Sequence, residues 1–327
     1  MTDEIERNNV ISERSRLFCP MERNNVGMVF SLVDYRNNYF TSNDPNKIIE
    51  FYNCFENRDQ LIQWMKERPK GVANIIEIDG DKNIIVVIPT ADFNGKYAKE
   101  CRENIFKGLH MVFVESGGIG DFYFNLAHNV NVGIRKAMED NPKWIVFSGD
   151  DMYKIDDISV LVSELKSLNN RDYKVVFTRP ASYHSIPCKL SKPRFTRSLL
   201  FILIGRYRRM QLKLEKKFGV GYFLPPKHGY WRLFFGNGPY IISIATFGIF
   251  SAELIKESWP LYDDTYINSA EDMDLSLRMN QKKEINIIKF RIGDYKGSTL
   301  GKDVRRHLME VAGLAYFNYK LMSGMYG

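Results

Sequence analysis

The chain reads as an α/β protein, with a mostly parallel central sheet flanked by helices and an α-rich N-terminal extension. Three observations predict this. From residue 84 onward short apolar runs recur, IIVVIPT, HMVFV and WIVFS among them. Between them lie stretches with apolar residues at helical spacing, and such alternation of strand and helix is the pattern of parallel βαβ units. Before residue 84 the sequence is charged and only weakly periodic, so the chain divides into an extension (1–83) and a main domain (84–327).

The elements follow in order. The opening residues, rich in Asn, Arg and Glu, are expected to be mobile. NKIIEFYNCFENRDQLIQWMKER predicts one or two helices and is followed by a short strand at 75–78, the whole packing on the main domain. IIVVIPT is a strand ended by Pro89, and residues 97–107 read as a helix. HMVFV is a second strand that runs into ESGGIGD. A helix through Asn129, Val132, Ile134 and Met138 then leads to WIVFS, which delivers Ser148, Gly149, Asp150 and Asp151. In open α/β sheets ligands collect beyond the C-terminal strand ends, so IPTAD, ESGG and SGDD are predicted to converge on one pocket.

Composition bounds the possibilities without choosing among them. With 327 residues, 44% of them hydrophobic, there is material for a full catalytic domain plus an appended segment. The formal net charge of +7 favours anionic partners, whether nucleotide phosphates, nucleic acid or an acidic membrane face. Cys19, Cys54, Cys101 and Cys188 are scattered, form no CxxC pair and read as free thiols of a reducing compartment. MTDEIERNN is too acidic and polar for a secretory signal, and no apolar run approaches the roughly 20 residues of a membrane span, so a cytoplasmic location is expected.

Two pairs of carboxylates carry the chemistry. Asp150 and Asp151 close an apolar strand, and hard carboxylate oxygens there suit Mg2+ or Mn2+, which bind through one or two carboxylates plus substrate phosphates. The same aspartates would equally cap the loop or helix that follows. Glu271 and Asp272 open a helix in SAEDMDLSLRM. Ser269 reads there as its N-cap, with Asp272 three residues on as in a capping box, and acids at this place also suit the helix dipole. Met273 and Leu277 share a face, which turns Asp272 toward a cleft. Between the two pairs, Gly236, Asn237 and Gly238 form a glycine-rich turn that lets backbone amides approach a ligand, or simply links two apolar strands.

Taken in order, strand-IPT, strand-ESGG, the helix with HNVNVGIRKA, strand-SGDDM, GNG and AEDMDLSLRM resemble the GT-A glycosyltransferases, whose fold is Rossmann-like, and the inverting family 2 type above all. The resemblance spans roughly residues 84–319 and leaves the extension outside. It implies a metal-dependent transfer of a sugar from a nucleotide diphosphate donor, linked to UDP, GDP or dTDP, to a hydroxyl of a glycan, lipid-linked or protein acceptor. Pro89, Thr90, Ala91 and Glu115 would then contact the nucleoside. Asp150 and Asp151 would bind the ribose and the Mn2+ or Mg2+ that bridges the donor phosphates, with Asp151 the principal ligand, although SGDD lacks strict DxD spacing. Asp272 would act as the general base, Glu271 would orient the acceptor, and Gly236, Asn237 and Gly238 would lie beside it. Related enzymes often carry a His where this chain has Tyr295; Asp294 is a candidate substitute ligand, and Lys296 or Lys302 a candidate phosphate contact. Residues 293–302 have the composition of a lid, and His307 reads as a surface helix residue.

RSLLFILIGRYRRMQLKLEKKFG joins a short apolar run (199–204) to a basic helix, a pattern that lies on an anionic membrane surface or forms a core segment with a solvated basic face. Peripheral contact with the inner membrane face through 199–217 is therefore an expectation that accompanies a lipid-linked acceptor. Other classes fit less well. A sugar nucleotidyltransferase needs an N-terminal glycine- and arginine-rich loop that IPTADFNGK does not supply. For nucleic acid the chain shows no binding motif, and its strand-end acids would repel a phosphate backbone. A noncatalytic binder of nucleotide sugars has the same motifs as an enzyme.

Overall fold

The structure, a computed structural model, describes residues 29–118, 121–181, 184–192, 205–222, 238–282, 284–295 and 304–326. α1 (Val29–Phe40), α2 (Pro45–Asn53) and α3 (Arg58–Glu67) precede β1 (Asn74–Ile78). Next come β2 (Asp81–Thr90), α4 (Lys96–Glu100) with a π-helical turn after it (Cys101–Ile105), β3 (Leu109–Glu115), α5 (Leu126–Ala137) and β4 (Trp144–Ser148). β5 (Met152–Lys154), α6 (Ile158–Ser167), β6 (Val175–Phe177), β7 (Pro187–Lys189), α7 (Arg206–Lys217) and β8 (Tyr240–Ile242) follow. The chain continues through β9 (Phe247–Ser251), α8 (Ala252–Glu257), α9 (Glu271–Asn280), β10 (Ile285–Ile287), β11 (Ile292–Asp294) and α10 (Val304–Met322).

Seven strands form the central sheet in the order β1-β3-β2-β4-β9-β6-β10. β3, β2 and β4 are parallel neighbours, and β10 is parallel to β6. β9 runs antiparallel between β4 and β6, and β1 is an antiparallel edge strand on β3. Five strands therefore share one direction, as the alternating pattern predicts, with two reversed strands added. β2 shows why the central runs are apolar throughout: Ile84, Val86 and Ile88 face one helical layer while Ile85 and Val87 face the other. A strand covered on both sides has no face left to be polar.

α4 and α6 cover the first face through Ala98, Cys101, Ile105, Leu161 and Leu165. α5, α8 and α9 cover the second through Val130, Ile134, Leu254, Leu275 and Met279. α5 lies so close to the sheet that a Cβ on Gly133 would stand 2.5 Å from a Val87 methyl. A further apolar cluster joins α1, α2 and α3 to α7 and α10, with Phe51, Tyr52, Trp64, Phe218, Leu308 and Phe317 at its centre. The helices upstream of residue 84 pack there against the C-terminal helix, and the Tyr52 hydroxyl donates to the Leu308 carbonyl (2.7 Å) and accepts from the Ala312 amide (3.1 Å). β1, also upstream of residue 84, is part of the central sheet itself.

α9 sits between the sheet and this outer helical cluster. Leu275 and Met279 face the sheet, and Met273 and Leu277 face α10, so the helix is buried nearly all round. No helix among the described residues is long and apolar enough to cross a membrane. The apolar run at 199–204 lies outside the described residues, whereas α7 is described: its buried side carries Gln211, Leu214 and Glu215, and Arg206, Arg209, Lys213 and Lys216 are exposed. Among the described residues Cys54, Cys101 and Cys188 are in no disulfide with one another.

Candidate active site

Strand order creates the site. From β2 the chain crosses through α4 to β3 on one side, then returns through α5 to β4 on the other. The crevice at such a reversal is where open α/β sheets bind ligands. At this reversal the Thr90 hydroxyl, ending β2, donates to Asp150 Oδ2, just past β4, at 2.8 Å. A cleft of about 770 Å3 opens there, a volume suited to a nucleotide-sized ligand. Pro89, Thr90, Ala91, Asp150, Asp151 and Asp272 all line it. The ends of β2 and β4 supply the first five and the start of α9 the sixth, so Asp150 and Asp151 face a common space with Asp272, more than 100 positions away in the chain.

The loop carrying Asp150 and Asp151 is fixed from behind. The Gly149 amide donates to the Thr246 carbonyl (2.8 Å), and the Tyr295 amide donates to the Asp151 carbonyl (2.9 Å) as β5 pairs with β11. Burial, and then the charge of Asp151, push the Asp150 carboxyl up to about 6, against the hydrogen bond from Thr90. This is the behaviour of a desolvated acid beside a like charge. The capping reading of this pair holds for the loop and not for the helix: the Asp150 carboxyl accepts from backbone amides of its own loop, whereas Asp157 is the N-cap of the helix that follows.

Glu271 and Asp272 differ in placement. Asp272 is half-buried and faces the cleft, and its Oδ1 accepts from the Met273 amide (2.8 Å). Glu271 is buried behind it, and its Oε2 has no hydrogen-bond partner among the described residues. Burial, then the charge of Asp272, hold the Glu271 carboxyl above its ordinary range. Beneath them the buried Tyr262 hydroxyl also lacks a partner among the described residues. Asp274, the third acid of SAEDMD, is not part of the cleft. It accepts from the Tyr266 hydroxyl (3.1 Å), the Tyr326 hydroxyl (2.6 Å) and Arg278 Nε (2.9 Å), and ties α9 to its surroundings.

Ser269 does not cap α9, contrary to the capping-box reading. Ala270 occupies the N-cap position in the left-handed region (φ 66°) without a side-chain hydrogen bond, and Asn268 is left-handed as well (φ 51°). The reason is the approach of α10: a Cβ on Gly313 would stand 2.1 Å from the Ser269 carbonyl oxygen, and the Ser269 hydroxyl donates instead to the Glu310 carbonyl (3.3 Å). Asn268 holds the turn, its Oδ1 accepting from the Leu126 amide (2.8 Å) and its Nδ2 donating to the Phe124 carbonyl (3.1 Å). Strained backbone of this kind recurs at ligand sites.

The opposite wall comes from residues without a motif. Arg68, Arg306, His307 and Glu310 line the cleft, together with Phe40 and Thr41 of the N-terminal helices. His307, on α10, is half-buried and lines the cleft because the first turns of α10 lie over the α9 turn. Its Nδ1 lies 3.4 Å from Glu310 Oε2. Burial would raise the Glu310 carboxyl, but His307 and Arg306 outweigh it and hold it low. Arg68 is buried and spans the wall, with Nε donating to Asn37 Oδ1 (2.7 Å) and Nη2 to the Phe122 carbonyl (2.7 Å). Burial lowers its guanidinium to about 10, so it stays charged at neutral pH.

Several sequence-predicted residues have other surroundings. Glu115 does not line the cleft; its Oε1 accepts from the Phe93 amide (2.8 Å) and so braces the loop after β2. Gly238 lies at the small β7–β8 sheet, where its amide donates to the Leu190 carbonyl (2.8 Å) and a Cβ would stand 2.9 Å from that oxygen. Gly236, Asn237, Lys296, Lys302 and most of the 293–302 segment lie outside the described residues. Asp294 is buried behind Thr246, accepting from its hydroxyl (3.2 Å) and lying 3.3 Å from His184 Nδ1. Among the described residues no third His, Cys or carboxylate joins Asp150 and Asp151 in a compact cluster. The chain matches no model of a known protein family, and no curated protein matches it at a significant level.

Proposed function

We propose that the protein is a metal-dependent glycosyltransferase of the GT-A type that moves a sugar from a nucleoside diphosphate to an acceptor hydroxyl with inversion. One observation carries the reading: the strand-end acids Asp150 and Asp151 and the helix-start acid Asp272 share a single cleft at the reversal of strand order. A scaffold or simple binding module has no need of a second acid facing the ligand space from the opposite wall.

The donor set suits a hard divalent cation. Two adjacent carboxylates, one of them partly desolvated beside a like charge, gain from a nearby cation, and Mn2+ or Mg2+ accepts such ligands together with phosphate oxygens. Asp151 and Asp150 would hold it, and once bound it would supply charge neutralisation for the departing diphosphate. Thr90 holds Asp150 by its hydrogen bond, while Arg68 and Arg306 bring guanidinium groups to the same cleft, where they can meet phosphates.

Asp272 is the base. Its carboxylate takes the acceptor proton as the acceptor oxygen bonds to the anomeric carbon, while the bond from that carbon to the diphosphate breaks and its electron pair leaves with the phosphate. Attack opposite the leaving group inverts the anomeric centre. Glu271 is buried directly behind, where burial and the charge of Asp272 disfavour its own ionisation, which leaves the negative charge on Asp272. The acceptor side would comprise Phe40, Thr41, Phe122 and Met309, which brings the N-terminal helices into the site. The exposed basic face of α7 supports peripheral contact with an anionic membrane and hence a lipid-linked acceptor.

The test is turnover across UDP-, GDP- and dTDP-sugars with Mn2+ and an alcohol acceptor. Asp272→Asn is expected to lower kcat by about a thousandfold, within the usual worth of a general base, with donor affinity little changed. Unaltered turnover in that variant would remove Asp272 from the chemistry, and an axial-to-axial or equatorial-to-equatorial product would exclude direct displacement.

A further inference from the structure

Far from the cleft, at the opposite end of the parallel strands, a histidine is enclosed by carboxylates. His110, the second residue of β3, is buried (1% exposed) on the face of the sheet covered by α5. Its Nε2 lies 3.3 Å from Glu77 Oε2 on the edge strand β1 and 3.8 Å from Asp140 Oδ2 just beyond α5. The three ligand atoms lie within 4.8 Å of one another. The outer carboxylate oxygens are engaged elsewhere: Lys136 Nζ is 3.3 Å from Glu77 Oε1, and Lys82 Nζ donates to Asp140 Oδ1 at 2.8 Å. Each carboxylate is thus held by a lysine with its second oxygen turned toward the imidazole.

Two further features point to a cation. Nδ1 of His110 is buried and has no hydrogen-bond partner among the described residues, with Asp79 Oδ1 next to it at 3.8 Å. A histidine that binds a metal through Nε2 carries its proton on Nδ1 and offers it to a carboxylate, which is the role Asp79 is placed to take. The charges also fail to balance. Glu77, Asp79, Glu139 and Asp140 gather around the two lysines Lys82 and Lys136, so the acids beside the imidazole outnumber the lysines by two.

We propose that Glu77, His110 and Asp140 form a binding site for a divalent transition ion of the Zn2+ class, which clips edge strand β1 to β3 and to the end of α5. Ligand bonds of about 2.0–2.2 Å in a tetrahedral arrangement separate ligand atoms by roughly 3.3 Å, close to the observed spacings. One nitrogen and two carboxylate oxygens favour Zn2+ or Co2+ over Mg2+, which prefers all-oxygen octahedral sites. Glu77 and Asp140 are 36% and 27% exposed at the side chain, so the ion has access from solvent and a water can complete its shell. The site does not depend on the glycosyltransferase reading.

The experiment uses the full chain stripped with chelator, as the wild type and as an Asp150→Asn/Asp151→Asn variant in which the strand-end pair no longer competes. Zn2+ is titrated calorimetrically, Co2+ by visible absorption, and Tm is followed at each loading. One equivalent is expected to bind in the Asp150→Asn/Asp151→Asn variant and to persist in the wild type beside any bound by the strand-end pair, with a Co2+ spectrum of four-coordinate type and a rise in Tm. Glu77→Gln and Asp140→Asn, at partly exposed positions that leave the fold intact, should each weaken Zn2+ by at least tenfold. Absence of stoichiometric binding would overturn the proposal and leave a histidine ion-paired with its neighbours, as would binding indifferent to both substitutions.

Discussion

At Asp150 folding and the proposed donor binding make opposed demands. β4 delivers the carboxylate to the bottom of a cleft, where burial and the charge of Asp151 raise it to about 6. In the unfolded chain an aspartate titrates near 3.9. The folded protein without metal therefore keeps this proton to higher pH than the unfolded chain does. Its stability falls as pH rises from about 4 through 6, and the loss persists above that window. Asp150→Asn retains an acceptor for Thr90 and removes the charge. In EDTA it is expected to stabilise the protein by about 1–3 kcal/mol at pH 8 and by almost nothing at pH 4, the size given by a shift of about two pKa units. Paired thermal or urea unfolding of the two proteins across that range would show it, and a variant less stable than the wild type at pH 8 would contradict the electrostatic account. The same substitution should weaken donor binding, so stability and function part at this residue.

At the scale of elements, the turn before α9 depends on how closely α10 approaches. Ala in place of Gly usually stabilises a helix by about 1 kcal/mol. At Gly313 the added Cβ would meet the Ser269 carbonyl oxygen at 2.1 Å, and a backbone atom gives way less readily than a side chain. Gly313→Ala is expected to cost about 1–3 kcal/mol, the range for overpacking, and to lower kcat more than it raises KM, because the displaced turn carries Asp272. An unchanged Tm with unchanged kcat would show that α10 does not set that turn. This contact also explains a limit of sequence reading. SAEDMD has the local pattern of a capping box, and only α10, some forty residues on, takes Ser269 out of it. By contrast β2, β3 and β4 are legible because burial on both faces leaves continuous apolar runs that end abruptly in polar residues. α7 gives an element-scale test of the membrane reading: Arg209→Glu with Lys213→Glu, both on its exposed face, should reduce cosedimentation with anionic vesicles at least severalfold. Equal binding by the variant, or none by the wild type, would remove the membrane from the account.

Across the whole molecule, the cleft is assembled from parts distant in sequence. The sheet contributes Thr90, Asp150 and Asp151, α9 contributes Asp272, α10 contributes Arg306, His307 and Glu310, and the helices before residue 84 contribute Phe40, Thr41 and Arg68. The acids could be found from the sequence because each pair stands at an element boundary with a recognisable run beside it. The basic and aromatic wall could not, since a lone Arg or His on an amphipathic helix has the same local pattern whether it faces solvent or a ligand. In the proposed reaction the acids divide their work, with the strand-end pair holding the donor and Asp272 acting on the acceptor. The most direct test is equilibrium binding of UDP, GDP and dTDP, with Mn2+ and with EDTA, to the wild type, Asp151→Ala and Asp272→Asn. The account predicts Mn2+-dependent binding of at least one nucleotide, lost by a factor of about 100 or more in Asp151→Ala and kept within about threefold in Asp272→Asn, corresponding to roughly 2.7 kcal/mol and under 1 kcal/mol. Failure of all three nucleotides to bind, or binding that ignores both Mn2+ and Asp151, would contradict it.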